Sequence, residues 1–232
     1  MKYLKILIIF LLANISFSQS AGITIVTYKL IKASQNNKVN LYSPDLLEFE
    51  LLFNKNKAIF KLVDKLDTDN SKNYKIVSIF YGGNLTFYTD LNSNEKLYNV
   101  NYTRISHNVI LPSENLKWSI TNETKIIENY KCYKATAYFE KYDKGKNKMY
   151  KYYPEVWFTS EIPTSFGIKN LSGLPGLILE GTIDGKISYV VTKINKTVKN
   201  RTIERPKADV DINEKDFDEL IYNDYITIKA LD

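Results

Sequence analysis

The sequence predicts a mainly β protein built on one curved antiparallel sheet or half-open barrel, with a short helix near the C-terminus. Aromatic and β-branched residues are abundant, with 18 tyrosines and 11 phenylalanines among 232 residues, and such side chains favour a pleated, half-buried surface. They occur in short runs separated by turn residues. No amphipathic helical pattern lies between consecutive runs, which favours antiparallel pairing over βαβ crossovers.

The individual strands follow from these apolar runs. Gly82-Gly83-Asn84 is predicted to close a hairpin between two of them. Apolar and polar side chains alternate between residues 131 and 141, as expected for a sheet with one solvated face. The predicted strands cover residues 23–31, 47–53, 57–63, 75–80, 85–91, 96–102, 104–110, 116–121, 131–141, 148–160, 177–182 and 186–196.

The C-terminal region is predicted to contain one short amphipathic helix at residues 214–224. Asn213 is a favoured N-cap residue, and Phe217, Leu220 and Ile221 follow it at helical spacing. The helix is expected to cover one end of the sheet.

The first 18 residues have the order of a secretory signal peptide. Lys2 and Lys5 precede an apolar run at residues 6–12, and small residues follow at Ser16 and Ser18. The run is much shorter than the roughly 20 residues of a membrane-spanning helix, so we expect no transmembrane segment after cleavage. The mature protein is therefore expected to be periplasmic or secreted.

The rest of the chain is predicted to form one domain. Residues 19–199 are assigned to the β domain, which is long enough for a substantial core. Residues 200–232 are assigned to a linker followed by the short C-terminal helix. The linker itself, residues 200–211, contains Pro206 and several charges and is interpreted as having marginal order.

Composition excludes several classes of function. The formal charge of +6 falls to +4 once Lys2 and Lys5 leave with the signal, and this weakly basic balance predicts no nucleic-acid partner. One cysteine and one histidine exclude an intramolecular disulfide and a clustered zinc site. We predict no metal, no cofactor and no catalytic residues. Cys132 is interpreted as a small buried hydrophobe and His107 as a structural side chain.

Two further patterns have a structural and a functional interpretation. Residues 138–153 interleave lysines with aromatic residues around the turn Asp143-Lys144-Gly145-Lys146-Asn147. A lysine-rich hairpin tip is the structural interpretation, and contact with a polyanion or membrane surface is the functional one. A pair of catalytic carboxylates is a further alternative, because the fold decides which carboxylates lie close together. The candidates are Glu155, Glu161, Glu180 and Asp184.

The most distinctive segment is Leu-Ser-Gly-Leu-Pro-Gly-Leu-Ile-Leu-Glu at residues 171–180. Pro175 and Gly176 suit the second and third positions of a type II turn, in which Gly176 would have a positive φ. A tight turn that leads into a buried strand is the structural interpretation. A loop that contacts a ligand is the alternative.

This segment carries a resemblance to a known family, the GLPGLI family of exported bacterial proteins. Its signature is spelled here by Gly173, Leu174, Pro175, Gly176, Leu177 and Ile178. Other positions in the order and spacing of that family are Trp118, Tyr130, Cys132, Trp157 and Pro163. The resemblance covers about residues 116–195, and it implies an exported, β-rich protein of uncharacterised function with no agreed catalytic residues.

The leading hypothesis is a non-enzymatic envelope protein that binds or carries an apolar ligand, a peptide or another envelope component. A curved, aromatic-rich sheet with a covered concave face is a common binding site. One alternative is a structural or interaction partner of an outer-membrane protein, which requires a large exposed apolar patch. The other is a hydrolase of glycans or peptides, which requires two carboxylates, or His107 and a hydroxyl, to meet in a cleft.

Overall fold

The computed structural model describes residues 22–32, 44, 47–63 and 72–230. The predicted signal peptide, residues 1–18, lies outside the described residues. Strands make up 51% of the described residues, about twice the usual share of roughly 20–25%. The predicted fold class is confirmed, since most strands join one large sheet that does not close and a helix lies near the C-terminus.

The described elements are fourteen strands and two helices. The strands are β1 (Ile23–Lys32), β2 (Glu48–Phe53), β3 (Lys57–Leu62), β4 (Thr86–Asp90), β5 (Glu95–Tyr102), β6 (Ile105–Ile110), β7 (Ser119–Ile127), β8 (Tyr130–Thr136), β9 (Phe139–Asp143), β10 (Lys148–Tyr152), β11 (Glu155–Thr159), β12 (Leu177–Thr182), β13 (Ile187–Val198) and β14 (Val210–Asn213). The helices are α1 (Lys72–Phe80) and α2 (Glu214–Lys229).

Twelve strands form the large sheet in the order β14-β6-β5-β4-β3-β2-β1-β13-β12-β11-β8-β7, and β9 and β10 form a separate hairpin. Neighbouring strands are antiparallel, as predicted, except that β14 runs parallel to β6. The exception arises because the chain crosses one face of the sheet between β13 and β14 and then enters the edge in the direction of β6.

The main core covers one face of the sheet. Tyr28, Phe49 and Phe60 lie at its centre with almost no exposure. The connection between β11 and β12, residues 160–176, contributes buried apolar side chains to the same cluster, and so does α1 through Val77. The Tyr28 hydroxyl donates a hydrogen bond of 2.8 Å to the Ile178 carbonyl, which joins β1 to β12 across the core.

Residues 200–211 differ from the predicted linker of marginal order, because they pack on the opposite face of the sheet. Ile203 is 8% exposed and lies in a second apolar cluster with residues of β1, β2, β4 and β5. Arg205 donates to Glu95 at 3.0 Å and to Asp211 at 2.6 Å, and the second of these bonds holds the Asp211 pKa below its usual range. Charge and proline are typical of a linker, but Arg201, Arg205 and Asp211 form ion pairs that hold this segment in place.

The predicted strand at residues 75–80 is wrong, since this segment is the helix α1. Its β-branched residues resemble a strand locally, but tertiary packing decides the conformation: Val77 is 1% exposed and enters the core. The predicted hairpin at Gly82-Gly83-Asn84 is also wrong, because the two glycines end the helix α1. Gly82 and Gly83 donate to the Ile79 and Ser78 carbonyls at 3.0 and 2.6 Å, and Gly82 has a φ of 79°, which together form a Schellman cap.

Two predicted long strands, 131–141 and 148–160, are each divided into two. Pro154 has no backbone N–H, so it interrupts the ladder, and its carbonyl accepts from Ala137 at 3.0 Å. The outer halves form the β9–β10 hairpin, whose turn lies at residues 144–147 within the predicted turn. The inner halves, β8 and β11, remain in the large sheet.

The C-terminal helix begins where predicted and is longer than predicted. Asn213 is the N-cap, and its side chain accepts a 2.9 Å hydrogen bond from the Asp216 N–H. The helix continues to Lys229 through Tyr225 and several β-branched residues that lower helix propensity. Phe217 anchors it to the sheet beside Val109. Among the residues that the structure describes, no helix is long and apolar enough to cross a membrane.

Candidate ligand-binding cleft

A cleft of about 880 Å³ opens between the end of α1 and the turn that joins β12 to β13. This volume lies within the roughly 300–1,000 Å³ of small-molecule sites. The cleft lies at the end of the sheet where β1 finishes at Lys32 and β13 begins at Ile187. Its apolar walls are formed by Ile79, Phe80, Leu85, Ile183 and Ile187.

One wall is the exposed side of α1. Val77 enters the core, whereas Ile79 and Phe80 in the last turn of the helix are 61% and 77% exposed. The Schellman cap ends the helix directly after them, so their position at the cleft is set by the hydrogen bonds of Gly82 and Gly83. Two large, adjacent apolar side chains at a cleft are typical of a binding surface.

Lys169 lies in this apolar cleft. Its Nζ is 5.3 Å from the centre of the Tyr189 ring, and the Tyr189 side chain packs in turn against Phe49 and Phe60 of the core. A methyl group added at Gly82 would lie 3.5 Å from Nζ, so the amine also borders the turn after α1. Among the described residues, no carboxylate lies within ion-pair distance of Nζ.

The electrostatic environment of Lys169 combines burial with a weak opposing charge. Burial lowers the pKa of the Lys169 amine to about 8, although Asp184 acts in the other direction. At pH 7 the amine is therefore mainly protonated, and its positive charge is only partly hydrated. Such a charge favours an anionic group that enters the cleft.

The Lys169 backbone is held in an unusual conformation by the loop between β11 and β12. Its φ is 54°, a left-handed value that costs a non-glycine residue about 1–2 kcal/mol. Ile168 and Leu171 on either side are 0% and 1% exposed, and the Leu171 N–H donates to the Ile168 carbonyl at 2.9 Å. The buried side chains of Ile168 and Leu171 thus hold a turn in which Lys169 has a strained backbone and its amine lies in the cleft.

The signature residues act in this loop as packing elements. Leu174, Leu177 and Ile178 are at most 3% exposed, which agrees with the predicted buried strand. The Gly173 N–H donates to the Ser165 carbonyl at 2.8 Å. The indole of Trp118 donates to the Ser172 carbonyl at 2.9 Å, so the structure brings Trp118 against the signature.

The predicted type II turn at Pro175-Gly176 is wrong. The glycine with a positive φ is Gly173, at 97°, and Gly176 is absent from the positive-φ positions. A glycine is instead required at position 176 because the backbone there lies close to Thr159: a methyl group would lie 2.0 Å from the Thr159 carbonyl oxygen. Pro175 is exposed.

The remaining motif residues lie apart from the cleft. Cys132 is fully buried, as expected, and burial raises the pKa of its thiol to about 11. Trp157 and Tyr130 are partly buried and lie under Lys125 and Lys196, at 4.4 and 5.5 Å from Nζ to the ring centre. Pro163 is exposed. None of the eleven motif residues is among the described residues that line the cleft.

Each of the candidate hydrolase carboxylates is engaged by its own lysine or backbone N–H. Glu155 pairs with Lys134 at 3.0 Å and Glu180 with Lys125 at 2.8 Å. Glu161 and Asp184 accept backbone hydrogen bonds, each at 3.0 Å, from Lys131 and Lys186. The ring of His107 is 4% exposed and packs between Tyr102 and Phe217.

A second concave surface, a groove of about 610 Å³, lies between the β9–β10 hairpin and α2. Two of the hairpin lysines face this helix: Lys141 pairs with Glu214 at 2.9 Å and with Asp218 at 3.4 Å, and Lys144 pairs with Glu219. These lysines attach the hairpin to the helix, which agrees with a structural interpretation of the basic turn. Among the described residues, no group of three or more His, Cys, Asp or Glu side chains could hold a metal ion.

Sequence reasoning did not identify the cleft residues. Phe80, Lys169 and the hairpin residues Asp184 and Tyr189 come from three separate segments, and only folding brings these segments together. The sequence indicates Asp184 only as a candidate hydrolytic carboxylate. The available signal for Lys169 was its position four residues before Gly173, inside the segment with the distinctive motif.

Taken together, the fold and the cleft define a mainly β protein with an apolar site at one end of an open sheet. A family model described as "Protein of unknown function (Porph_ging)" matches residues 118–180. This segment includes all eleven motif residues singled out in the sequence, and it is less than half of the chain. No curated protein matches the sequence.

Solved structures with a similar fold include PNGF-II in two space groups. The P21 structure gives a TM-score of 0.57 at 14% identity, over 87% of this chain and 33% of that one. The C2 structure gives 0.53 at 17% identity, over 88% and 32%. The chain therefore spans about a third of the length of PNGF-II, and the similarity concerns the fold.

Proposed function

We propose that the protein is a non-enzymatic binding or carrier module of the bacterial envelope, and that it binds an apolar ligand in the cleft beside α1. The observation that carries this proposal is the exposure of Ile79 and Phe80 at the cleft, 61% and 77%. Water contact with such side chains is unfavourable by about 25 cal/mol per Å² of apolar surface, so a ligand that covers them gains this free energy on binding.

The surroundings of the other candidate groups support binding over hydrolysis. The carboxylates considered for hydrolysis each hold a separate lysine or backbone partner. The apolar cleft, in contrast, offers wall area together with one partly buried amine. A few polar groups in a mainly apolar cleft are typical of ligand sites.

Binding is tested with the neutral fluorescent dye Nile red and the variant Phe80→Asp. A carboxylate at this position would have to lose hydration when an apolar ligand covers it, so dye affinity is expected to fall at least about tenfold, or about 1.4 kcal/mol. The measurement is a fluorescence titration of purified protein. Folding is expected to be unaffected because the side chain is exposed, and circular dichroism checks this.

The matched control is Ile126→Asp. Ile126 is 67% exposed and lies on the edge strand β7, which β8 and β11 separate from β12. This variant is expected to bind Nile red as the unmodified protein does. Equal affinity in Phe80→Asp and Ile126→Asp would refute the proposed cleft.

We further propose that the protein is exported by its N-terminal signal and belongs to the GLPGLI family. The basic, apolar and small-residue order of residues 1–18 supports export. The family model that matches residues 118–180 supports this membership, because the matched segment includes the signature loop. The expected result is a periplasmic form whose mass corresponds to a first residue at Gln19; intact protein retained in the cytoplasm would refute export.

A further inference from the structure

The cleft beside α1 is asymmetric in chemistry. Its walls are apolar at Ile79, Phe80 and Ile187, whereas the Lys169 amine lies inside against the Tyr189 ring. A molecule that satisfies both parts must carry an apolar portion and a polar end. The apolar portion matches the exposed side of α1, and the polar end must match the amine.

The charges of the cleft determine the sign of that polar end. Lys32, Lys169 and Lys186 line the cleft, opposed among the described lining residues by Asp184 alone. One Asp184 carboxylate oxygen already accepts the Lys186 N–H at 3.0 Å. The surplus of positive charge disfavours a cationic head group and favours an anionic one.

The number of donors favours a carboxylate over a phosphate. Phosphate sites usually combine arginine forks or several backbone N–H groups, and no arginine is among the described residues of the cleft. A single ammonium group, which lies over the Tyr189 ring, matches a ligand with one negative charge. A carboxylate can accept from Lys169 while its chain stays in contact with the walls.

We propose that the cleft binds a long-chain carboxylic acid, with its carboxylate on the Lys169 ammonium group and its alkyl chain along Ile79 and Phe80. This assignment rests on the proposed binding function, because it names the chemistry of the molecule bound at the same site. Lys169 then acts as a specificity-determining residue: it selects the head group, and the apolar walls bind the chain.

The test compares decanoate, 1-decanol and decylamine, which share one chain and differ in head group. Each is titrated against the Nile red complex of the full chain at pH 7. Decanoate is expected to displace the dye at about tenfold lower concentration than 1-decanol, because a charge-assisted hydrogen bond is stronger than a neutral one. Decylamine is expected to be the weakest competitor.

The variant Lys169→Met keeps the length of the side chain and removes its charge. Decanoate is expected to lose its tenfold advantage over 1-decanol, while 1-decanol itself changes by less than about twofold. Lys55→Met is the matched control, because Lys55 lies in the exposed turn between β2 and β3. That turn is at the opposite end of the sheet, where Thr24 pairs with Phe53.

The pH dependence distinguishes a charged amine from general packing. The titratable groups among the described residues that line the cleft around Lys169 are Lys32, Tyr81, Tyr152, Asp184, Lys186 and Tyr189. Since burial lowers the pKa of Lys169 to about 8, the preference for decanoate is expected to fall as the pH rises from 7 to about 10. In Lys169→Arg, which stays protonated, the preference is expected to persist over this range.

Each outcome separates the two proposals. If 1-decanol and decanoate bind equally well to the unmodified protein, the head-group assignment is overturned, but the proposal that the cleft binds an apolar ligand is retained. If none of the three compounds displaces the dye, the alkyl-chain ligand is overturned, while the binding function is decided separately by the Nile red titration of Phe80→Asp. A decanoate preference that survives in Lys169→Met would remove Lys169 from the site. Stronger competition by an apolar peptide with a free C-terminal carboxylate than by decanoate would overturn the alkyl-chain ligand.

Discussion

Replacing Gly176 with alanine is expected to reduce the free energy of unfolding by about 3 kcal/mol, the upper end of the usual range for overpacking. The added methyl group would lie 2.0 Å from the Thr159 carbonyl oxygen and 2.6 Å from the Thr159 carbonyl carbon. Both are backbone atoms, so no side-chain rotation relieves the clash, and β11 or the signature loop must move. Urea denaturation of the purified variant measures the effect.

Two other glycines serve as controls for this variant. Gly145 lies in the hairpin turn, where a methyl group would meet only the Asp143 carboxylate, at 3.4 Å, and alanine is expected to change stability by less than about 0.5 kcal/mol. Gly185 has open space but a φ of 73°, so alanine there is expected to cost about 1–2 kcal/mol through the backbone alone. If Gly176→Ala were as stable as Gly145→Ala, the signature glycine would not be required for packing.

Truncating Phe60 to alanine is expected to reduce the free energy of unfolding by about 3–5 kcal/mol. The Phe60 side chain is 2% exposed and stacks on Phe49 with ring centres 5.5 Å apart. It also contacts Tyr28 and Tyr189, at 6.0 and 5.8 Å between ring centres. The expected loss is a large share of the roughly 5–15 kcal/mol that stabilises a typical domain.

Phe80→Ala is the matched control for Phe60→Ala, because the Phe80 side chain is 77% exposed. We expect it to alter the unfolding free energy by less than about 0.5 kcal/mol. Chemical denaturation of both variants under the same conditions makes the comparison. Similar losses in the two would contradict the assignment of Phe60 to the core and Phe80 to the surface of the cleft.

The structural role of the signature extends to the proposed site. Residues 171–178 carry the buried side chains that hold the loop on the sheet, and Lys169 lies two residues before them. A protein could therefore retain the signature for packing while the residues around it determine what binds. The cleft lining consists of side chains outside the motif.

Local pattern was sufficient where neighbouring residues decide the structure. Alternating apolar runs predict β2, β3 and β5 to within a residue or two, because a strand with one buried face repeats every two residues. Asn213 predicts the start of α2, since an N-cap depends on the adjacent N–H groups.

Local pattern was insufficient where distant residues decide. The segment Ile76 to Phe80 is rich in β-branched and aromatic residues, yet it is helical because Val77 reaches the core and two glycines cap the last turn. Residues 200–211 are polar enough for a linker, yet Glu95 and Asp211 pair with Arg205. In each case the conformation depends on contacts with residues that the local pattern does not include.

The sequence by itself determined the mainly β class, the strands with a clear period, the N-cap of α2 and the burial of Cys132, because these depend on composition and on nearest neighbours. Tertiary structure alone decided the order of the twelve strands, the parallel edge strand β14, the helix α1 and the cleft around Lys169. The physical reason is the same for all four: each depends on contacts between residues far apart in the chain, whose free energy appears only when the sheet has formed.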